Sequence, residues 1–295
     1  MSKGKVIVGY IHGGMVHSRF MRSLINVMSY DAERDKIIKN LYESESTDIV
    51  QNRNFVAKGF LEQDEAEWLW FVDTDIIMMP DTLYRLYEFA DRDARPIVTG
   101  MYFSYLSREV NYPLPLMFHR TAEGEYRSLD RSSDQPIKID GCGMGCCLIH
   151  RSVLEAIEAK YRDIDPWVWF GRDVVEMKGR KTRLGEDFTF CRRAQELGFT
   201  IWGHCGVQVD HIKSRVESFA TFLQGNKLYE LEHGVDASED IIAGNPSEGP
   251  SERKKIRQDQ AEPGRQIRRN GLSLPEGPDS RQTDEPAQAQ QVNGA

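Results

Sequence analysis

Apolar and polar positions alternate along the first hundred residues in a way that predicts strands and helices in turn. Short apolar runs rich in β-branched and aromatic residues predict buried strands, and apolar residues spaced three or four apart predict amphipathic helices. The predicted strands cover residues 5–11, 36–44, 68–75 and 96–103, and the predicted helices cover residues 18–30, 48–63 and 80–92. This alternation favours an α/β fold around a mainly parallel sheet.

The pattern becomes less regular after residue 110. Shorter strands are predicted in LPLMFH, EYRSLD, PIKIDG and CCLIH, and later elements are predicted as helices at 151–161 and 185–198 and strands at 200–212. The charged run 172–187 predicts a flexible loop. We therefore expect residues 1–103 to form an α/β half of the type that binds nucleotides, followed by an irregular half at 104–235.

The composition changes near residue 235. Tyr229 is the last aromatic residue, and the chain beyond it is rich in Gly, Pro, Ser, Gln and mixed charge. Such a segment buries too little apolar surface to offset the entropy lost on ordering. We expect one domain at 1–235 and a disordered tail at 236–295.

Charge and cysteine content narrow the class of protein. The formal net charge of the 295 residues is -8 at pH 7, which argues against nucleic-acid binding through a general basic surface. Five cysteines without regular spacing suit a reducing compartment. The apolar run at the N-terminus is too short for a signal peptide, and no run reaches the roughly 18 residues of a membrane span. We expect a cytoplasmic protein without a membrane span and of undetermined oligomeric state.

In the stretch FVDTDIIMMPD, residues 71–81, a predicted apolar strand ends in two carboxylates. Side chains alternate along a strand, so Asp73 and Asp75 are predicted on the same side, at the end where open α/β sheets bind ligands. Two close carboxylates repel unless a cation lies beside them, and Mg²⁺ and Mn²⁺ prefer oxygen ligands. In the structural alternative, Asp73 ends the strand and Asp75 opens a turn.

A second acidic pair, Glu186 and Asp187, begins the predicted helix 185–198. Acidic residues in the first turn complement the helix dipole, so a purely structural role is one explanation. The same dipole favours the anionic form, and we therefore predict that Asp187 is ionised at neutral pH.

Four stretches together resemble one family. WLWFVDTDIIMMPDTLYRL resembles the core of the GT-A fold glycosyltransferases, in which D-x-D ends a hydrophobic strand. DGCGMGCCLIHRSVLEAI (140–157) resembles their Gly-rich strand beside sugar and acceptor, and LGEDFTFCRRAQELGFTIW (184–202) resembles their segment with an acidic pair. VQVDHI (207–212) resembles a late strand that ends in a metal-binding histidine. The resemblance is greatest to family-2-like glycosyltransferases, including small phage-encoded ones.

The resemblance implies a Rossmann-like mixed sheet of GT-A type, flanked by helices, and a metal-dependent glycosyltransferase. Asp75 and His211 would bind Mn²⁺ or Mg²⁺, and Asp73 would bind the metal or contact the ribose. Asp187 would be the general base of an inverting transfer, with Glu186 supporting it. The donor would be a nucleotide sugar, usually a UDP-sugar.

Further contacts to the nucleotide sugar are implied for four residues. Tyr10 and His12 follow the first strand, where base and ribose contacts usually lie. Arg53 occupies the position of a basic residue near the nucleotide, and a solvated helix charge is its alternative. Gly143 would let the substrate approach its strand closely, and tight packing is its alternative.

Other functions and acceptors remain open at this point. A phosphotransferase of the haloacid-dehalogenase type also has D-x-D after an apolar strand, with the first Asp as nucleophile. A non-catalytic protein that binds nucleotide sugars is a further alternative. The acceptor would be a hydroxyl of a glycan or a protein, a virion protein by analogy with phage relatives, and a modified DNA base is less attractive for an acidic chain. A phage-encoded enzyme would act in the host cytoplasm.

Overall fold

The fold is known from a computed structural model that describes residues 3–63, 65–106, 112–129 and 134–213. The chain divides into two units, Met1–Arg215 and Val216–Ala295, and every described residue belongs to the first. The predicted domain boundary at residue 235 and the predicted disordered tail at 236–295 lie outside the described residues.

The described residues form five helices and a central sheet of seven strands. The helices are α1 (Ser18–Ala32), α2 (Ile49–Leu61), α3 (Thr82–Phe89), α4 (Arg151–Tyr161) and α5 (Glu186–Glu196). The strands of the central sheet are β1 (Lys5–His12), β2 (Ile38–Glu45), β3 (Ala66–Asp73), β5 (Ile97–Met101), β10 (Ile137–Ile139), β12 (Cys146–His150) and β15 (Ile201–Gln208). Short strands outside that sheet are β4 (Ile76–Ile77), β6 (Phe103–Ser104), β7 (Leu114–Pro115), β8 (Met117–Arg120), β9 (Tyr126–Ser128), β11 (Gly141–Cys142), β13 (Val174–Met177), β14 (Arg180–Arg183) and β16 (Asp210–His211).

The strand order of the central sheet is β10-β15-β5-β12-β3-β1-β2. The pairs β1–β2, β1–β3 and β15–β5 are parallel, whereas β12 and β10 run antiparallel to their neighbours. The sheet is therefore mixed instead of mainly parallel, and together with the helices it confirms the predicted α/β class. In the register of β1 and β3, Ile11 lies opposite Asp73, so their carboxyl ends meet at one edge.

Helices cover both faces of the sheet because its strands carry apolar side chains in both directions. Along β3, Leu69 and Phe71 join the core under α2, α4 and α5, while Trp68, Trp70 and Val72 join the core under α1 and α3. None of the five described helices is both long and apolar enough to cross a membrane.

Two predicted elements differ in the structure. Strand β3 ends at Asp73, and Asp75 lies in a turn before β4 instead of in the same extended strand. The charged run 172–187 was predicted as a flexible loop, and that prediction is wrong. Residues Val174–Met177 pair with Arg180–Arg183 in an antiparallel hairpin, which turns at Lys178 and Gly179, both with positive φ.

Candidate active site

An open cleft of about 440 Å³ lies at the carboxyl ends of β1 and β3. Loops after both strands, the N-terminus of α5 and the strand β16 surround it. It brings together seven of the nine predicted site residues: His12, Arg53, Asp73, Asp75, Glu186, Asp187 and His211. Residues far apart in sequence therefore share one cavity.

Arg53 lies at the buried centre of the acidic residues. Its side chain is 1% exposed, because α2 packs against the sheet and carries the guanidinium inward. Nη2 lies 3.3 Å from Asp73 Oδ1, and Nε lies 3.4 Å from Asp187 Oδ1 and 3.8 Å from Glu186 Oε1. The carboxylates outweigh the effect of burial and raise the pKa of Arg53 above its ordinary value. The predicted solvated charge is wrong, since Arg53 links the first aspartate to the α5 acidic pair.

Four buried polar atoms around this guanidinium have no hydrogen-bond partner. They are Nε and Nη1 of Arg53, Oδ1 of Asp73 and Oδ1 of Asp187. Three of these atoms, Nε of Arg53 and Oδ1 of Asp73 and of Asp187, nevertheless belong to the ion pairs at 3.3–3.4 Å described above, so their charges compensate one another where the hydrogen-bond geometry is poor. The same three side chains line the cleft, and a guanidinium beside two carboxylates suits a ligand that carries hydroxyl groups.

Asp187 is poised to exchange a proton near neutral pH. Burial, together with the charges of Glu186 and Asp73, raises its pKa to about 7, although Arg53 and the Met144 backbone N–H act in the opposite direction. The predicted fully ionised carboxylate is therefore wrong. Desolvation and like charges outweigh the helix dipole, whose effect was the basis of that prediction.

Asp75 faces a different set of partners from Asp73. Its Oδ2 lies 3.1 Å from His211 Nε2 and 2.8 Å from Lys213 Nζ. Burial raises the pKa of Asp75, but hydrogen bonds and charges from His211 and Lys213 outweigh it and lower that pKa to about 2. Asp75 lies in the turn after β3, so the two aspartates have different partners although both line the cleft.

His211 is oriented as a metal-binding histidine would be. Its Nδ1 lies 2.8 Å from the Phe103 carbonyl oxygen, which only accepts, so Nδ1 carries a proton and Nε2 faces Asp75. In metal-binding histidines, the ring nitrogen that does not bind the metal usually donates a hydrogen bond to an oxygen such as a backbone carbonyl. No group of three or more His, Cys, Asp or Glu within the described ranges is arranged to hold a metal. Asp75 and His211 fit a Mg²⁺ or Mn²⁺ ion that takes its other ligands from water and phosphate.

Gly143 and Tyr10 lie outside the cleft wall. A Cβ on Gly143 would lie 2.1 Å from the Tyr102 hydroxyl oxygen and 3.6 Å from Asp187 Oδ2, so close packing already accounts for the glycine. Tyr10 packs against Phe20 in the core, and its hydroxyl donates a hydrogen bond to Glu43. Their proposed substrate contacts stay predictions.

Tyr102 and Lys213 are among the cleft residues that were not predicted from the sequence. Tyr102 is buried beneath Asp73 and Asp187, and its hydroxyl accepts a 2.9 Å hydrogen bond from the Gly145 N–H. Lys213 lies two residues beyond His211 and lines the cleft. The sequence signal for Lys213 was its position just after the predicted strand 200–212, whereas Tyr102 lay within the predicted strand 96–103.

Part of the chain matches a known family. Residues 27–158 match the profile of the family described as Glycosyl transferase family 2. The matched stretch contains Arg53, Asp73 and Asp75, whereas Asp187 lies beyond it. No curated protein matches the chain by sequence.

Three solved structures are similar to the chain at low identity. A197 from STIV is 16% identical, with a TM-score of 0.44, covering 71% of this chain and 86% of that one. GalNAc-T7, solved with UDP, GalNAc and Mn²⁺, is 13% identical, with a TM-score of 0.47 and 87% of this chain covered. The present chain spans only 54% of GalNAc-T7. A glycosyltransferase involved in glycosylation of the major capsid of PBCV-1 is 16% identical, with a TM-score of 0.31, covering 55% of this chain and 69% of that one.

Proposed function

We propose that this chain, whose residues 27–158 match the glycosyl transferase family 2 profile, is a glycosyltransferase that carries out a metal-dependent, inverting transfer from a UDP-sugar to a hydroxyl acceptor on a protein or glycan. The observation that carries the proposal is a single cleft with two parts. One part is the Asp75–His211 pair, and the other is Asp187, whose pKa is about 7.

The roles of the residues follow from their chemistry. The acceptor hydroxyl attacks the anomeric carbon and gives its proton to Asp187, while the bond from that carbon to the diphosphate oxygen breaks and the nucleoside diphosphate leaves. A carboxylate with a pKa near the working pH is well suited to take that proton. A divalent cation bound by Asp75 and His211 would neutralise the negative charge of the diphosphate.

Arg53 supports this reaction from behind the substrate. Its buried guanidinium holds Asp73 and Asp187 at a fixed separation, which keeps the base oriented toward the cleft. Asp73 lines the cleft beside Asp187, and we assign Asp73 to a contact with a hydroxyl group of the donor. Glu186 keeps the pKa of Asp187 high through its negative charge.

A nucleic-acid acceptor is a second candidate, and the β13–β14 hairpin supports it. Arg180, Lys181 and Arg183 are exposed there, and β14 ends three residues before Glu186. This basic hairpin would meet phosphates of an acceptor that approaches Asp187. Acceptor binding that weakens steeply with added salt would favour this candidate over an uncharged glycan.

The first test is release of nucleoside diphosphate from a panel of nucleotide sugars, with Mn²⁺ and with EDTA. We expect one donor to be hydrolysed slowly in the presence of metal, and Asp75→Ala and Asp187→Ala to lose that activity. Phosphate release from simple phosphomonoesters would support the phosphotransferase alternative. Metal-dependent binding of a donor without turnover, with every acceptor tried, would support a non-catalytic binding protein.

A further inference from the structure

Lys213 occupies the position that a cation would take at Asp75. Its Nζ lies 2.8 Å from Asp75 Oδ2, the same oxygen that lies 3.1 Å from His211 Nε2. The ammonium and the imidazole therefore converge on one carboxylate oxygen at the wall of the cleft. That oxygen is also the proposed ligand for a divalent cation.

We propose that Lys213 is the resident counter-ion of Asp75, gives way to the divalent cation, and then binds the diphosphate of the donor. This inference rests on the proposed function and adds a positioning residue to it. It predicts that Lys213 has opposite effects on two affinities. Lys213 weakens the binding of the metal alone, and it strengthens the binding of the nucleotide that follows the metal.

Competition follows from the shared oxygen. The Lys213 ammonium lies 2.8 Å from Asp75 Oδ2, so the lysine neutralises this carboxylate when no metal is bound. A divalent cation on the same Oδ2 repels the ammonium, because both are positive and need the same acceptor. The metal must therefore displace Nζ before it binds Asp75.

The backbone keeps the displaced lysine beside the cleft. The Ile212 N–H donates a 2.8 Å hydrogen bond to the Asp75 carbonyl oxygen, so the start of the Lys213 side chain is anchored. The flexible four-carbon stem leaves the ammonium free to move within that reach. Phosphate oxygens delivered to the metal are the nearest strong acceptors expected there, and lysine binds phosphate as a point charge.

Lys160 is a matched control. It forms an ion pair with Glu196, its side chain is 41% exposed against 45% for Lys213, and neither Lys160 nor Glu196 lines the cleft. Lys213→Met and Lys160→Met thus remove equally exposed lysines from comparable surface pairs. Surface pairs contribute little to stability, so both variants should fold.

The experiment measures two affinities separately in the full chain. Mn²⁺ binding without nucleotide is followed by electron paramagnetic resonance, and UDP and GDP binding at saturating Mn²⁺ is followed by calorimetry. We expect Lys213→Met to bind Mn²⁺ about threefold more tightly and the preferred nucleotide about tenfold more weakly. Lys213→Arg should restore most of the nucleotide affinity, and Lys160→Met should match the wild type.

Three results would overturn the inference. Equal weakening of metal and nucleotide in Lys213→Met would indicate a structural role. Unchanged affinities for both would mean that Lys213 touches neither. A wild-type protein that binds neither Mn²⁺ nor nucleotide would refute the proposed function as well, and this result differs from the other two because it needs no variant.

Discussion

At the residue scale, the buried Arg53 connects the acidic residues around it. A sequence shows carboxylates at 73 and 187 as separate features, yet one buried guanidinium contacts both. Burial is the largest effect on the pKa of Asp187 and raises it, whereas the positive charge of Arg53 lowers it. The base and the proposed donor contact are therefore electrostatically coupled.

The first prediction concerns the pH dependence of stability. The folded-state pKa of Asp187 is about 7, well above the ordinary value for an aspartate. Ionisation of Asp187 therefore opposes folding, and this free-energy cost grows as pH rises from about 4 to 7. Asp187→Asn should raise the free energy of unfolding at pH 8 by on the order of 3 kcal/mol and change it little at pH 4. Thermal melts in EDTA measure this difference. The exposed Asp163→Asn is the control, and a pH-independent gain would contradict the expectation.

The second prediction concerns the pH dependence of transfer. In the wild type, kcat/KM should fall as pH drops below about 7, because Asp187 becomes protonated. Arg53→Lys replaces the planar guanidinium by a single ammonium group, which cannot reach both carboxylates. The pKa of Asp187 should therefore rise, and the acidic limb of the pH profile of kcat/KM should move to higher pH. Initial rates from pH 5.5 to 9 test this. A uniformly lower rate with an unmoved limb would show that Arg53 is only structural.

At the scale of elements, short connections decide the geometry of the site. The turn after β3 brings Asp75 against His211 of β16, whereas Asp73 at the end of β3 contacts Arg53. The bend between β11 and β12 brings Gly143 against Tyr102, which closes the space behind Asp187. Hydrophobic periodicity predicted the strands themselves, but it carries no signal for the direction of a two-residue turn.

The third prediction tests that close packing. Gly143→Ala inserts a methyl group 2.1 Å from the Tyr102 hydroxyl oxygen, and this hydroxyl cannot retreat without losing its hydrogen bond from Gly145. We expect a loss of about 1–3 kcal/mol in stability and weaker donor binding. Gly185→Ala is the control, because no atom lies within 4 Å of its added Cβ. Denaturant unfolding of both variants would distinguish them, and similar losses would argue against the packing explanation.

At the scale of the whole molecule, both core clusters and the cleft lie within the unit Met1–Arg215. All five cysteines are buried and free there. The predicted domain, 1–235, contains this whole unit.

The fourth prediction follows from that organisation. A chain that ends at residue 235 should keep the melting temperature of the full chain within about 2 °C, since no core residue of the described unit is removed. It should also keep its nucleotide affinity. Circular dichroism and calorimetry measure the two. A large fall in melting temperature would show that residues 236–295 contribute to the fold.

The sequence by itself determined the order of the main elements and the α/β class, and it indicated seven of the residues that line the cleft. Those features depend on local periodicity and on the position of polar residues just after apolar strands, both of which one chain displays directly. The ends of β3 and the hairpin at 174–183 were missed because turn geometry depends on few residues.

Only the tertiary structure decided how the site residues pair. Lys213 joins Asp75, Arg53 joins Asp73 to Asp187, and Tyr10 packs into the core. Burial and the sum of nearby charges raised the pKa of Asp187, reversing the prediction from the helix dipole. Electrostatic energies depend on distances through space, and these distances exist only once strands remote in sequence lie side by side.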